Sequence, residues 1–203
     1  MVPVTAGSPR VRRNREQRRA EILRAAMESF RETGYYETTL EDIAGRLNVR
    51  KTALYHYFPD KESLLFECHR RSLDELEALL ARARAKKSTA RDRLEYVIRE
   101  HVRVMTDTLE GSPSAFEVTA LRPAHQQAIV ERRDRYEHGL RQLIREGIEE
   151  GDFRPVDAKL AVFTMLGAIN WIARWYRPDG SWHAPELGRD YADLLVGGLR
   201  CRS

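Results

Sequence analysis

The stretch that decides the fold reads Gly34-Tyr35-Tyr36-Glu37-Thr38-Thr39-Leu40-Glu41-Asp42-Ile43-Ala44 and, after Gly45-Arg46-Leu47-Asn48, Val49-Arg50-Lys51-Thr52-Ala53-Leu54-Tyr55-His56-Tyr57-Phe58-Pro59-Asp60-Lys61-Glu62-Ser63-Leu64-Leu65. Gly34 stops a preceding helix. Thr38 or Thr39 then offers an N-cap oxygen, with Glu41 and Asp42 in the first turn, where the helix dipole favours acids. Leu40, Ile43, Ala44 and Leu47 are spaced as the buried stripe of a short helix. Asn48 ends it, because Asn tolerates the left-handed conformation of a tight turn. Val49 turns inward, and Arg50 to Tyr57 form a further short helix whose Leu54 and Phe58 pack back on the others. Pro59 forbids simple continuation. Two short helices across a tight turn read as a helix-turn-helix, whose second member lies in the major groove of DNA. Here that helix offers Arg50, Lys51, Thr52 and His56, which can donate to guanine acceptors or reach phosphates.

Working outward, Ile22, Leu23, Ala26, Met27 and Phe30 predict a helix from about Asn14 to Thr33. Ahead of it, residues 1–13 read as a flexible basic arm. Between Met1 and Arg19 stand Arg10, Arg12, Arg13, Arg15, Arg18 and Arg19 against the single acid Glu16, so the net charge of +4 is concentrated at this end. On the other side, Asp60 caps a helix in which Leu64, Leu65, Cys68, Ser72, Leu76, Leu79 and Leu80 keep a helical period, long enough to connect two domains. Leu94, Val97, Ile98, Val102, Met105 and Leu109 define the next helix, closed by Gly111, Ser112 and Pro113. A looser stretch from Ser114 to Pro123 suits a short helix. His125 to Glu150 is amphipathic through Ile129, Tyr136, Leu140, Leu143, Ile144 and Ile148, with Gly151 and Pro155 beyond its end.

The last two helices, about Ala158 to Trp175 and Pro185 to Leu199, are apolar on more than one face, with Gly167, Ala168, Gly197 and Gly198 suited to close packing. They are expected to pair with their copies in a homodimer. No strand-like alternation appears. The expected fold is all-α: a three-helix DNA-binding domain over 14–60, and a helical ligand-binding and dimerisation bundle over 61–203.

Composition narrows the classes. A chain of 203 residues with 42% hydrophobic and 33% charged content is that of an ordinary globular protein. No run approaches the ~18 apolar residues of a membrane span, and no apolar region follows the basic start as a secretory signal needs. A cytoplasmic protein without a membrane partner is expected. Cys68 and Cys201 form neither a disulfide framework nor a metal or redox pair. Cys68, His69 and His101 make a poor metal site, since adjacent residues point to different helix faces. No nucleophile elbow, His-Glu-x-x-His or phosphate loop is present, so neither an enzyme nor a cofactor is expected.

From about Arg18 to Leu65 the quoted residues closely resemble the signature of the TetR family. That resemblance implies an N-terminal domain bound to double-stranded operator DNA, a helical domain binding a small-molecule effector, and repression that the effector relieves. Carried over by position, it implies that Thr39, Lys51, Tyr55, Tyr57 and Lys61 meet the DNA backbone. Arg50, Thr52 and His56 are better placed for bases. The family commonly has Ala-Gly-Val where this chain has Leu47-Asn48-Val49, and often Ser-Lys-Gly where it has Arg50-Lys51-Thr52, so the operator sequence does not follow. Asn170-Trp171-Ile172-Ala173-Arg174-Trp175-Tyr176-Arg177-Pro178 resembles a segment of a subgroup that senses acyl-CoA thioesters. An acyl chain near Met105, Phe116 and Trp171, with phosphates near Arg174 or Arg177, would follow; His101, on the stripe side of its helix near Met105, reads either as lining a ligand pocket or as a satisfied core histidine. The competing reading makes Trp171 and Trp175 core or dimer packing. An architectural DNA-binding protein without a ligand, a multidrug-type sensor and an enzyme on a borrowed helical fold are the rival classes.

Overall fold

The computed structural model describes residues 9–106 and 117–201, and these residues form eight α-helices. They are α1 (Pro9–Thr33), α2 (Leu40–Arg46), α3 (Lys51–Tyr55), α4 (Lys61–Arg84), α5 (Ala90–Thr106), α6 (Pro123–Glu149), α7 (Ala158–Trp175) and α8 (Ala184–Gly197), with a 3-10 turn at Val118–Ala120. Among the described residues the strand-like pairing is confined to one isolated bridge, Phe153 to Arg200.

The head of the molecule is α1 to α3. Ile22, Leu23, Ala25, Ala26, Met27 and Phe30 bury one face of α1 against Leu40, Ile43 and Ala44 of α2 and Leu54 of α3. Gly34 takes φ +88° and its N–H donates to the Phe30 carbonyl at 3.0 Å, ending α1. α2 opens with a capping box. The Asp42 N–H donates to Thr39 Oγ1 at 3.1 Å while the Thr39 N–H donates to Asp42 Oδ2 at 2.8 Å. It closes on Asn48 at φ +52°, with the Val49 N–H reaching the Ala44 carbonyl at 3.0 Å and the Asn48 N–H that of Gly45, also at 3.0 Å. This pair of bonds is a Schellman closure, and it sets the turn between α2 and α3.

One expectation is corrected here. The basic arm is not wholly a flexible lead: from Pro9 onward it is the first part of α1, with Arg10, Arg12, Arg13 and Arg15 exposed along it. Arginine is a good helix former, and a helix nucleated on the buried stripe propagates at little cost into such residues.

α4 is capped by Asp60, whose Oδ1 accepts the Ser63 N–H at 2.7 Å. Its 24 residues reach about 36 Å. Leu64, Leu65, Cys68 and Leu73 belong to the core of the head, together with Val118, Leu121 and Ile129, whereas Leu79, Leu80 and Ala83 belong to a second core formed by α5 to α8. One rigid rod thus runs through both cores. In the second core, α5 lies against α8 closely enough that a Cβ on Gly188 would come 3.0 Å from the Arg99 carbonyl oxygen. Leu109, Gly111, Ser112 and Pro113, expected at the end of α5, lie outside the described residues.

Candidate functional site

α3 presents its outer side to solvent because its inner side is spent on Leu54 and, just beyond, Phe58. Thr52, Tyr55 and His56 fall three and four residues apart and share the exposed face, with Arg50 exposed at the N-cap. Tyr55 is 46% exposed. Lys51 pairs with Glu41 of α2 at 2.6 Å and lies 5.7 Å from the centre of the Tyr55 ring, so α2 orients it. Tyr57 is partly buried, and its carbonyl accepts from Arg19 at 3.3 Å. The Thr39 hydroxyl donates to Asp42 Oδ2 at 2.7 Å and is held by the cap.

Lys61 departs from expectation. Its ammonium donates to the carbonyls of Tyr35, Tyr36 and Thr38 at 2.8, 3.2 and 2.9 Å and sits 4.4 Å above the Tyr35 ring. Three donors are all the group has, so it clamps the α1–α2 turn rather than facing outward for phosphate. Desolvation pushes its pKa below the usual lysine value.

The second feature is a cavity of about 600 Å³ lined by four helices and open at one side. α4 contributes His69, Ser72, Leu73 and Leu76; α5 contributes His101, Val104 and Met105. α6 contributes Arg133, Asp134, Tyr136, Glu137, His138 and Arg141, and α7 contributes Lys159, Phe163, Leu166 and Asn170. Ser72 and Leu76 sit on the inward stripe of α4 yet keep part of their surface, because what they face is this space. The deep wall holds His69, Leu73, His101, Val104 and Tyr136, all buried. Lys159, His138, Asp134 and Phe163 stand exposed at the rim, beside Arg141, which pairs with Glu137. Desolvation brings His101 down to about 4, and desolvation with the nearby Arg133 charge brings His69 down to about 3. Both rings are neutral at physiological pH.

The expected ligand residues divide. His101 and Met105 line the cavity. Phe116 lies outside the described residues. Trp171 is 59% exposed on α7 and does not line the cavity. Arg174 is also elsewhere: it borders a separate crevice of about 260 Å³ with Ala173, Glu117, Leu65 and residues 30–35 at the end of α1. Arg177 lies in the open, 3.6 Å from Asp179. Trp171 is turned away from the face of α7 that carries Phe163, Leu166 and Asn170, whereas Arg174, one turn beyond Asn170 on that face, lies past the end of the cavity. The cations beside the cavity are instead Arg133, Arg141 and Lys159. Arg133 was legible in principle, as an arginine four residues after Ile129 and three before Tyr136 on the buried stripe of α6.

Large apolar side chains stand exposed on the last two helices. Leu160 is 67% exposed, Trp171 59% and Leu194 74%, on α7 and α8. A Cβ added at Gly167 or Gly197, on the same two helices, would meet nothing within 4 Å.

Residues 22–68 match the family model described as bacterial regulatory proteins, tetR family, and residues 87–199 that described as tetracyclin repressor-like, C-terminal domain. The HTH-type transcriptional repressor KstR2 of Mycobacterium tuberculosis is 30% identical, over 90% of this chain and 92% of that protein. Among solved structures, the regulator PfmR of Thermus thermophilus superposes with a TM-score of 0.79 at 35% identity, over 89% of this chain and 99% of that one. AibR, solved with isovaleryl coenzyme A and operator DNA, superposes with a TM-score of 0.77 at 28% identity, over 90% and 98%.

Proposed function

Because the chain belongs to the TetR family and is a DNA-binding transcriptional regulator, we propose that it represses from a near-palindromic operator as a homodimer and is released by an amphipathic anionic effector of the acyl-CoA class. The observation that carries this reading is α4: the same helix supplies four residues to the cavity wall and four to the core of the DNA-binding head. A ligand that displaces α4 at His69, Ser72 or Leu76 moves the head with it, by no more than its differential affinity for the two arrangements. Residues 14–60 read the DNA and 61–203 sense and dimerise, which places the working protein in the cytoplasm.

Within this reading Arg50, Thr52 and His56 contact bases, and Lys51, Tyr55 and Tyr57, with the α2 terminus at Thr39, contact phosphates. The apolar part of the effector lies against Leu76, Val104, Met105 and Phe163, with its anionic part toward Arg141 and Lys159. The excess of Arg133, Arg141 and Lys159 over Asp134 and Glu137 around the cavity disfavours the planar cations a multidrug-type sensor takes up, and a cavity of this size disfavours a purely architectural role. Regulation, not turnover, is the activity assigned. The exposed apolar residues and open glycines of α7 and α8 suit a self-complementary interface. AibR, a relative solved with an acyl-CoA and DNA, supports the effector class.

The test is a fluorescence-anisotropy titration of the operator complex with acyl-CoAs of several chain lengths, set beside the free acids and free CoA. Release by thioesters, with a loss of operator affinity of about 5- to 150-fold, is the expected result. Release by none of them, with release by a planar cationic drug, would overturn the effector class.

A further inference from the structure

Two of the three least exposed polar groups of the cavity wall, beside His69, form a pair. His101 on α5 and Tyr136 on α6 are 2% and 3% exposed, with Tyr136 Oη 3.1 Å from His101 Nδ1 and their rings edge to face at 5.5 Å. Beside them the wall is apolar at Leu73 and Val104. The mutual bond uses one ring nitrogen and one position on the hydroxyl. His101 Nε2 and a further lone pair of the Tyr136 oxygen remain.

Burial keeps both groups uncharged, the imidazole held down at about 4 and the phenol pushed well above its ordinary value. A neutral donor-and-acceptor pair is a poor receptor for a carboxylate, whose charge would be desolvated there, the Arg133 guanidinium of the same cavity lying by His69 instead. A saturated hydrocarbon end is poor as well, because it removes water from the pair and offers no hydrogen bond in exchange. An alcohol or ketone oxygen meets both requirements.

We propose that the effector carries a neutral oxygen, hydroxyl or keto, on the part of its acyl group that enters deepest, and that this oxygen bonds to the His101–Tyr136 pair. The protein then selects partly oxidised acyl groups over saturated ones of equal length. The inference rests on the acyl-thioester reading of the cavity.

Its test uses octanoyl-, decanoyl- and dodecanoyl-CoA beside their terminal-hydroxy and methyl-ketone counterparts. Binding to the full chain is measured by calorimetry, and operator release by anisotropy. The oxygenated member of each length should bind about tenfold more tightly, the scale of one buried hydrogen bond. In Tyr136→Phe that preference should shrink to within about threefold, while affinity for the saturated thioester holds or rises. Should Tyr136→Phe fold poorly, the double variant Tyr136→Phe with His101→Leu removes both partners together and serves the same comparison. Saturated thioesters binding as tightly as oxygenated ones at every length, or a preference that survives the double variant, would overturn the inference. Binding with the expected preference but without release would uphold it and overturn the effector reading instead. Binding by no thioester would overturn both.

Discussion

His69 and His101 are uncharged inside the fold, and this has a measurable cost in acid. The unfolded chain takes up a proton on each ring near 6.5, whereas the folded chain resists until about 3 and about 4. Between those limits the unfolded state binds more protons, so stability rises with pH and is lost as pH falls from about 6.5 toward 4, at about 1.4 kcal/mol per pH unit for each ring. The lowered carboxylates Glu62 and Glu67 act mainly below their ordinary 4.5 and do not imitate this window. Urea midpoints at several values between pH 7.5 and 5 should fall with acid, and His101→Gln should remove about half of the slope. Midpoints flat across that range would contradict the burial of both rings as neutral groups. At this scale the sequence was legible for Asn48, where a left-handed turn has few other occupants, and for the cap at Thr39. It was not legible for Lys61: whether an ammonium faces phosphate or three carbonyls is settled by the path of residues 35–38, which one sequence does not specify. Nor did it single out His69 or Arg133, because a polar residue on a buried stripe looks the same whether it meets a satisfied core or a cavity.

Among the elements, α1 carries a consequence that the reading of residues 1–13 as a flexible arm would not. Arg10, Arg12, Arg13 and Arg15 project from its first turns, and among the described residues none of them meets an acid. Val11, Asn14 and Arg15 adjoin His56 and Tyr57 at the end of the recognition segment, so these guanidinium groups extend the surface that α3 presents. A variant with all four changed to Ala should bind every DNA sequence more weakly, and the slope of log affinity against log salt should flatten by about 0.9 for each phosphate no longer neutralised. Its preference among operators should not change. An unaltered slope would remove α1 from the interface. Helix boundaries followed the sequence wherever caps were explicit, as at Asp60, Gly34 and Gly151, because capping is local chemistry. The placement of Trp171 did not, since it depends on the rotation of α7 about its axis, and that of Arg174 did not, since it depends on how far along α7 the cavity reaches, both set from outside its own sequence.

For the whole molecule the claim is that one rod, α4, makes the cavity and the DNA-binding head answer to each other, and that a second copy joined through α7 and α8 doubles the head. On that proposal, two recognition helices related by the axis would stand roughly 34 to 36 Å apart, one turn of DNA, which would require a near-palindromic site. The all-helical architecture was readable because each stripe, cap and stop agreed with it. The cavity was not, because empty space leaves no residue of its own in a sequence. The most direct measurement is the affinity of the full chain for a duplex it has itself selected from a random pool, with and without a bound thioester, in the wild type and in Met105→Trp, which fills the cavity from α5. A palindromic duplex bound by a dimer is expected, with a loss of about 5- to 150-fold on adding thioester to the wild type, and little or no loss in Met105→Trp. A thioester that calorimetry shows to be bound in the wild type, yet leaves its operator affinity unchanged, would contradict the claim.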